Sequence, residues 1–164
     1  MHTVIGVMGG GTAGAETARM ASELGTLIAQ RDWVLLNGGR NCGVMAASAA
    51  GARAAGGLTI GILPDDATAR VAPGIDIPIL TGMGDARNVI NVLSSRVVIA
   101  MSGGAGTVSE VAHALKLGRP VITLGLELGD VLAEYRAAGR LVSVSTPADA
   151  VAAVERFLAE EPSP

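Results

Sequence analysis

The sequence is short of aromatic residues, cysteine and lysine. Its 164 residues include one Trp, one Tyr and one Phe, so the core must be aliphatic and no base-stacking surface is expected. The single cysteine, Cys42, excludes an internal disulfide, and two distant histidines, His2 and His113, do not make a zinc ligand set. A net charge of −3 without a basic cluster argues against nucleic acid as a partner.

Long hydrophobic runs are also missing, although mean hydropathy is +0.47. Glycine, proline or a charged residue breaks each apolar run before the ~20 residues that a membrane span needs. The first apolar stretch, Thr3 to Met8, is too short for a signal peptide and has no basic segment before it. The sequence therefore predicts a cytoplasmic protein without a membrane segment.

Short apolar runs alternate with longer segments of helical period, which is typical of parallel βαβ units. We predict one Rossmann-like α/β domain over residues 1–160, with a doubly wound, mainly parallel sheet, helices on both faces and a frayed tail at 161–164. The predicted strands are Thr3 to Met8, Trp33 to Asn37, Leu58 to Leu63, Ile77 to Leu80, Arg96 to Met101, Val121 to Leu124 and Val142 to Val144. The predicted helices are Ala15 to Gln30, Val44 to Ala55, Asp85 to Ser94, Thr107 to Leu117, Leu128 to Ala138 and Ala148 to Ala159.

Two further segments carry local signals. Pro64 to Pro78 contains three prolines and three aspartates, which predicts an exposed loop and a candidate lid. Thr146-Pro147 predicts a cap and a first-turn proline for the last helix.

Three predicted strand-to-helix turns are rich in glycine. They are Gly9-Gly10-Gly11-Thr12-Ala13-Gly14, Gly38-Gly39-Arg40-Asn41-Cys42-Gly43 and Gly103-Gly104-Ala105-Gly106-Thr107. In a parallel sheet such turns share the carboxyl edge, where ligands bind. Glycine lets the backbone approach an anion closely, and the next helix adds the positive end of its dipole. We expect one site for a phosphate group, although glycine in a single turn can serve bending alone.

Two common phosphate sites are excluded. Gly9, Gly11 and Gly14 match G-x-G-x-x-G, but the second strand ends in Asn37 without the acidic residue that an NAD site uses. No Gly-Lys-Ser/Thr follows any turn, because the only lysine, Lys116, lies late in a helix. The phosphate would therefore be held by backbone amides and arginine.

The charged candidates near these turns are Glu110, Arg87 and Arg40. Glu110 lies one helical turn after Thr107, so it either faces the phosphate site or closes a capping box with Thr107 as N-cap. Arg87 precedes Asn88 at the mouth of a helix and is a candidate clamp for an anion. Arg40 is more simply explained as a solvated side chain.

Motifs in a fixed order carry a family resemblance over about residues 3 to 125. Gly38-Gly39 with Gly43-Val44-Met45, then Gly56-Gly57 with Ile60-Gly61-Ile62-Leu63-Pro64, then Gly103-Gly104-Ala105-Gly106-Thr107 with Glu110, resemble the Lonely Guy (LOG, or SLOG) superfamily. Members were often labelled lysine decarboxylases, which nothing in these residues supports. One branch hydrolyses nucleoside 5′-monophosphates to free base and ribose 5-phosphate. The short branch, which this chain resembles more, includes molybdenum cofactor carriers.

The resemblance implies a carrier-like protein that binds a phosphate-bearing pterin or nucleotide. Molybdenum cofactor would be its cargo, no cofactor would be needed for catalysis, and the protein would form a homo-oligomer, a dimer or tetramer. The implied ligand-binding residues are Gly10, Gly11, Thr12, Gly38, Gly39, Met45, Arg87, Asn88, Gly103, Gly104, Ala105, Gly106 and Thr107.

Two alternatives remain open, a phosphoribohydrolase and a nucleotide sensor. In a hydrolase, Glu110 and Arg87 would be catalytic. Ser102 and Asn88 stand where the hydrolase pattern has proline and lysine, which departs from that activity.

Overall fold

Seven parallel strands form one sheet in the computed structural model, which describes residues 2–160. The strands are β1 Val4–Met8, β2 Val34–Asn37, β3 Thr59–Leu63, β4 Ile77–Leu80, β5 Val97–Met101, β6 Val121–Leu124 and β7 Leu141–Val144. Their order is β4-β3-β2-β1-β5-β6-β7, and all six pairings are parallel. The predicted Rossmann-like α/β class is confirmed, while the predicted frayed tail lies outside the described residues.

Helices cover both faces of the sheet. They are α1 Ala15–Ala29, α2 Gly43–Ala54, α3 Asn88–Leu93, α4 Ala105–Lys116, α5 Ala133–Ala137 and α6 Pro147–Glu160. Helices α1, α2 and α6 bury aliphatic side chains such as Leu24 and Val154 against one face, together with Phe157. Helices α3 and α4 cover the other face with side chains such as Val92 and Val111. The core is thus aliphatic, as the scarcity of aromatic residues requires.

Helices α1 and α2 lie unusually close together because glycine stands at their contact. A Cβ on Gly25 would overlap the carbonyl oxygen of Ser48, and a Cβ on Gly51 would overlap that of Ser22. The Thr26 hydroxyl donates to the Gly51 carbonyl at 3.2 Å across the same contact. This close packing fixes where α1 and α2 begin at the carboxyl edge of the sheet.

The predicted helix Leu128 to Ala138 is wrong over its first half. Only Ala133–Ala137 is helical and none of its residues is buried, so little packing energy supports a longer helix. Gly129 adopts a φ of +58°, which a right-handed helix does not allow. The predicted helix Asp85 to Ser94 likewise begins with a 3₁₀ turn, Gly84–Arg87, before α3.

The prediction of an exposed loop over residues 64–78 is also partly wrong. Ala72 and Ile75 are buried and pack with Ala49 of α2. The Ala72 amide donates to the Gly39 carbonyl at 2.9 Å, which ties the loop to the second glycine turn. Apolar residues hidden between prolines gave no periodic signal, so their burial was missed.

The strand order reverses direction between β1 and β5. Strands β2, β3 and β4 extend the sheet on one side of β1, and β5, β6 and β7 extend it on the other. Connections therefore leave the carboxyl ends of β1 and β5 on opposite faces, which opens a crevice between them. None of the helices within residues 2–160 is both long and apolar enough to cross a membrane.

Candidate functional site

The three glycine turns meet at the crevice between β1 and β5. The Gly10 amide donates to the Ser102 carbonyl at 2.9 Å, which joins the turns after β1 and β5. The Val44 amide at the start of α2 donates to the Gly10 carbonyl at 3.0 Å, which adds the turn after β2. The shared rim expected from the sequence is therefore formed by direct backbone contacts.

Glycine is required at these junctions for reasons of space. Gly43 has a φ of +51°, and a Cβ there would overlap the Gly10 carbonyl oxygen. A Cβ on Gly103 would overlap the Thr107 hydroxyl and lie 2.8 Å from the Gly10 amide nitrogen. Gly104 differs, because no atom lies within 4 Å of its Cβ position. Gly103 holds the turns together, whereas Gly104 borders open space.

An open cleft of about 180 Å³ lies above this junction. Backbone of the glycine turns forms one wall, and polar side chains of the segment around α3 and of α4 form the other. Its lining residues are Val7, Met8, Gly9, Gly10, Gly11, Gly38, Met45, Asp85, Arg87, Asn88, Gly104, Gly106, Thr107 and Glu110.

Three helices of at least 12 residues begin around the cleft. Their N-cap residues, Gly14 for α1, Cys42 for α2 and Gly104 for α4, make no side-chain hydrogen bond to the helix. The Val44 amide of α2 is already bound to the Gly10 carbonyl. Uncapped first-turn amides of α1 and α4 can bind an anion, and each helix dipole favours negative charge there. The backbone therefore contributes positive partial charge at the cleft.

The capping-box interpretation of Glu110 is wrong. Helix α4 begins at Ala105 after Gly104, so Thr107 lies inside the helix, where it is 4% exposed. Glu110 is 6% exposed and instead accepts a hydrogen bond from Asn91 Nδ2 at 2.7 Å. Its carboxylate is thus directed toward α3 and the cleft.

Arg87 approaches the same carboxylate, with 3.5 Å between its Nη1 and Glu110 Oε1. Its side chain is 10% exposed, and its Nε is buried without a hydrogen-bond partner. Burial raises the pKa of Glu110, although the Asn91 hydrogen bond and the Arg87 charge act in the opposite direction. Burial likewise lowers the pKa of Arg87 against the charge of Glu110. The interaction between Arg87 and Glu110 therefore does not fully offset the cost of burying the two charges.

Asparagine side chains hold the surrounding backbone. Asn37 ends β2, donates to the Met45 carbonyl at 2.9 Å and accepts from the Gly39 amide at 2.8 Å. It therefore braces the second turn at the position where an NAD enzyme has an acid. Asn88 donates to the Ser109 hydroxyl at 3.4 Å, a contact between α3 and α4.

Arg40 does not face the cleft. Its Nε and Nη2 bind the two carboxylate oxygens of Asp65 at 2.9 and 2.8 Å. The Asp65 hydrogen bonds raise the pKa of Arg40, and the Arg40 bonds lower that of Asp65. Arg40 is therefore neither a free anion clamp nor a simple solvated cation, but a link between the second turn and the loop at residues 64–78.

Most predicted site residues line the cleft, with four exceptions. Thr12 and Ala105 are exposed at its edge without lining it. Gly39 packs on Leu63, and Gly103 packs on Thr107 and Gly10. These four residues shape the turns or flank the site without forming its walls.

The sequence prediction missed Val7, Met8 and Asp85 among the lining residues, and Asn91 as the partner of Glu110. A signal for Asn91 was present, since it follows Asn88 by three residues and Arg87 by four, which places all three on neighbouring positions of one helical face. No group of three His, Cys, Asp or Glu side chains able to hold a metal occurs in residues 2–160.

Comparison with known proteins gives consistent relatives. A model of the SLOG cluster4 family matches residues 2–151. The molybdenum cofactor binding protein of Rippkaea orientalis is 46% identical, with a TM-score of 0.90 over 96% of this chain and 98% of that one. The Moco carrier protein of Chlamydomonas reinhardtii is 43% identical, with a TM-score of 0.89 over 98% of this chain and 100% of that one.

A more partial match is an enzyme of Mycobacterium tuberculosis, a cytokinin riboside 5′-monophosphate phosphoribohydrolase. It is 36% identical over 102 residues, which span 61% of this chain and 54% of the enzyme. Similarity to the carrier proteins therefore extends over nearly the full length of both chains, whereas similarity to the hydrolase covers about half of the enzyme.

Proposed function

The chain belongs to the SLOG cluster4 family, and we propose that it is a carrier-like protein that binds a pterin-type molybdenum cofactor or a nucleotide through a phosphate group. The observation that carries the proposal is the buried Arg87, whose Nε has no partner, beside uncapped helix N-termini in one cleft. Such a group needs a hydrogen-bond acceptor, and an anionic group is the strongest acceptor for a guanidinium. Near full-length similarity to carriers supports the cofactor as cargo.

In this proposal the phosphate lies on the amides of Gly104 to Thr107 and that of Gly11, within reach of Arg87, because the Gly10 amide already binds the Ser102 carbonyl. The organic part then lies against Val7, Met8 and Met45, because these apolar side chains line the cleft. Molybdenum belongs to the cargo and needs no protein ligand set. Residues 1–160 act as one ligand-binding domain.

Cargo analysis tests the proposal. Protein purified gently from a molybdenum-replete host should contain molybdenum and a pterin, measured by elemental analysis and by pterin fluorescence after oxidation. Arg87→Gln should reduce both by about tenfold or more, because a charge-assisted bond to the ligand is lost. The matched control Arg156→Gln changes an exposed arginine of α6 and should retain the cargo. Protein that carries neither molybdenum nor pterin would contradict the carrier function.

A second function, hydrolysis of nucleoside monophosphates, is favoured by one observation. Arg87 and Glu110, the pair that the hydrolase resemblance would make catalytic, are 3.5 Å apart in the cleft. The similarity to the hydrolase covers 54% of that enzyme, whereas the similarity to the carrier proteins covers nearly the full length of both chains. We therefore rank hydrolysis below carriage.

Incubation with AMP separates the two functions. The carrier proposal predicts AMP binding, measured by calorimetry, without release of adenine, measured by chromatography. The hydrolase would be established instead if the wild type releases adenine and Glu110→Gln does not. The control Glu127→Gln, at an exposed residue, should then still release adenine.

We further propose that the protein acts in the cytoplasm as a homo-oligomer, a dimer or tetramer. Exposed apolar side chains on the helices beside the cleft, Leu93 of α3 and Val108 of α4, support self-association. Light scattering after size exclusion should give a mass of two or four chains, and a single-chain mass would contradict this part of the proposal.

A further inference from the structure

Three polar side chains form a cluster that we call the floor of the cleft: Arg87 and Glu110 line the cleft, and the fully buried Asn91 contacts Glu110 behind this lining. Glu110 Oε1 receives the Asn91 amide at 2.7 Å and lies 3.5 Å from Arg87 Nη1. The ion pair is therefore a near contact longer than a charge-assisted hydrogen bond. The Nε of Arg87 and the Oδ1 of Asn91 are both buried without a partner. The floor thus holds one donor and one acceptor that no described residue satisfies.

The two unpaired atoms need different hydrogen-bond partners. The Arg87 guanidinium needs an acceptor, which an anionic ligand supplies. Asn91 Oδ1 needs a donor, and a carboxylate cannot donate, whereas a protonated carboxyl can. An amide carries both a donor and an acceptor, so rotation of the Asn91 amide lets it bind Glu110 in either protonation state.

Other charges near Glu110 do not compensate for it. Asp85, which lines the cleft, raises the pKa of Glu110, as burial does, while Arg87 and Asn91 lower it. Arg40 of the second turn and Asp65 of the loop at residues 64–78 also act on Arg87 but are paired with each other. Strands β5 and β6 beneath α4 contain no titratable residue. Among residues 2–160, Arg87 is the cation whose charge favours the ionised form of Glu110.

From this geometry we propose that the cleft binds an anion and a proton together: the ligand's anionic group replaces Glu110 as the counter-ion of Arg87, and Glu110 takes a proton from solvent while Asn91 continues to hold it. The inference rests on the proposed function, since it requires the cleft to bind an anionic group. The reaction is protonation of the Glu110 carboxylate by water or buffer, and no other bond is made or broken.

The direction of the effect follows from linkage. An anion on Arg87 neutralises the nearby positive charge and adds negative charge, and both effects raise the pKa of Glu110 further. Anion affinity is then constant below the free-state pKa of Glu110, which already lies above its ordinary value. Affinity falls as pH rises from that value to the pKa in the complex, by up to about tenfold per pH unit.

Proton uptake is measured by calorimetry with AMP at about pH 8, where its phosphate is already a dianion. Titration in two buffers of different ionisation enthalpy gives the number of protons taken up, which we expect to be a measurable fraction of one per AMP. Glu110→Gln keeps the size and the Asn91 bond of the side chain but cannot take a proton, so it should bind AMP without uptake. The control Glu127→Gln should behave as the wild type does.

Sulfate is the second probe, because it keeps two charges across the neutral range and has no proton of its own to exchange. Its affinity, measured by thermal-shift titration at several pH values, should fall with rising pH for the wild type and stay constant for Glu110→Gln. Melting curves of the unliganded variants show whether each is folded.

Each outcome is decisive. Uptake that Glu110→Gln abolishes supports the inference. Anion binding that shows neither proton uptake nor a fall of sulfate affinity with rising pH, or uptake that persists in Glu110→Gln, overturns it while the proposed anion site stands. If the folded protein binds neither AMP nor sulfate, both the inference and the proposed anion site are overturned.

Discussion

Glu110 is the residue at which burial, charge and hydrogen bonding conflict most. Its carboxyl is 6% exposed, and burial outweighs both the Asn91 hydrogen bond and the Arg87 charge in their effect on its pKa. A site that stores such a cost in the unliganded state is typical of binding and catalytic residues. The cost should be visible in the stability of the protein.

We predict that the stability difference between wild type and Glu110→Gln depends on pH. A carboxyl whose folded-state pKa is raised contributes stability below its unfolded pKa and loses it as pH rises through the folded pKa. The wild type should therefore lose stability relative to the variant as pH rises from acidic to neutral. Urea unfolding at several pH values measures the difference, and a difference that is independent of pH would contradict the burial argument.

Gly103 and Gly104 are neighbours with opposite surroundings. Gly103→Ala places a methyl group against Thr107 and Gly10, so we expect a loss of about 1–3 kcal/mol of stability. Gly104→Ala places it in open space at the cleft, so stability should change by less than about 1 kcal/mol.

AMP binding distinguishes the two variants further. Gly104→Ala should weaken AMP binding by about tenfold or more, because its methyl group occupies the space proposed for the phosphate. Chemical denaturation and calorimetry provide the two measurements. Unchanged AMP affinity in folded Gly104→Ala would argue that the phosphate lies elsewhere.

At the level of elements, the pair α1 and α2 depends on small residues. Helix propensity alone predicts that Gly51→Ala stabilises α2 by roughly 0.5–1 kcal/mol. The structure predicts the opposite sign, a loss of about 1–3 kcal/mol, because the added Cβ overlaps the Ser22 backbone. Ala50→Leu, a larger change on the exposed side of α2, should have little effect. Thermal unfolding of both variants tests this, and stabilisation by Gly51→Ala would contradict the close contact.

The start of α6 is stabilised locally, as the sequence predicted. The Asp149 amide donates to the Thr146 hydroxyl at 3.1 Å, and that hydroxyl donates to the Asp149 carboxylate at 2.6 Å. Thr146→Ala should cost about 1 kcal/mol, since a first-turn amide loses its cap. Thr146→Ser should retain most of the stability in urea unfolding, and equal losses in the two variants would show that the hydroxyl is unimportant.

At the scale of the whole molecule, the ligand cleft lies at the centre of the sheet. Strands β1 and β5 have neighbours on both sides and are buried except for the half-buried Val4, whereas the edge strand β4 exposes all four residues. Such differences in burial set the local free energies of opening. A rigid centre can therefore hold the glycine turns while the edges open more readily.

Hydrogen exchange should follow this gradient. Amides of β1 and β5 should exchange most slowly and those of residues 125–139, which include the short α5, most rapidly. Addition of AMP should slow exchange at residues 9–14 and 103–107 above all, because a ligand stabilises the segments it binds. Mass-spectrometric exchange with and without AMP tests both statements, and protection confined to other segments would contradict the proposed cleft.

The sequence by itself determined the alternation of strands and helices, the three glycine turns and the absence of NAD and P-loop signatures. These features are local, because the apolar residues of strands and helices recur with different periods. Glycine is likewise found in turns after strands where two backbone segments come close together. From the parallel sheet alone the turns were expected at one edge. Arg87 and Glu110 were found as candidates from their positions beside these turns, and the motif resemblance implied their catalytic roles.

Tertiary structure alone decided which of two local roles Glu110 has. The spacing of Thr107 and Glu110 by itself fits a capping box. However, α4 begins at Ala105, so Thr107 lies within the helix, and the packing of α3 on α4 brings Asn91 and Arg87 to the Glu110 carboxylate. The strand order that places β5 beside β1 likewise joins Gly10 to Ser102. Contacts between residues distant in the chain set burial and pairing, so no local pattern could specify them.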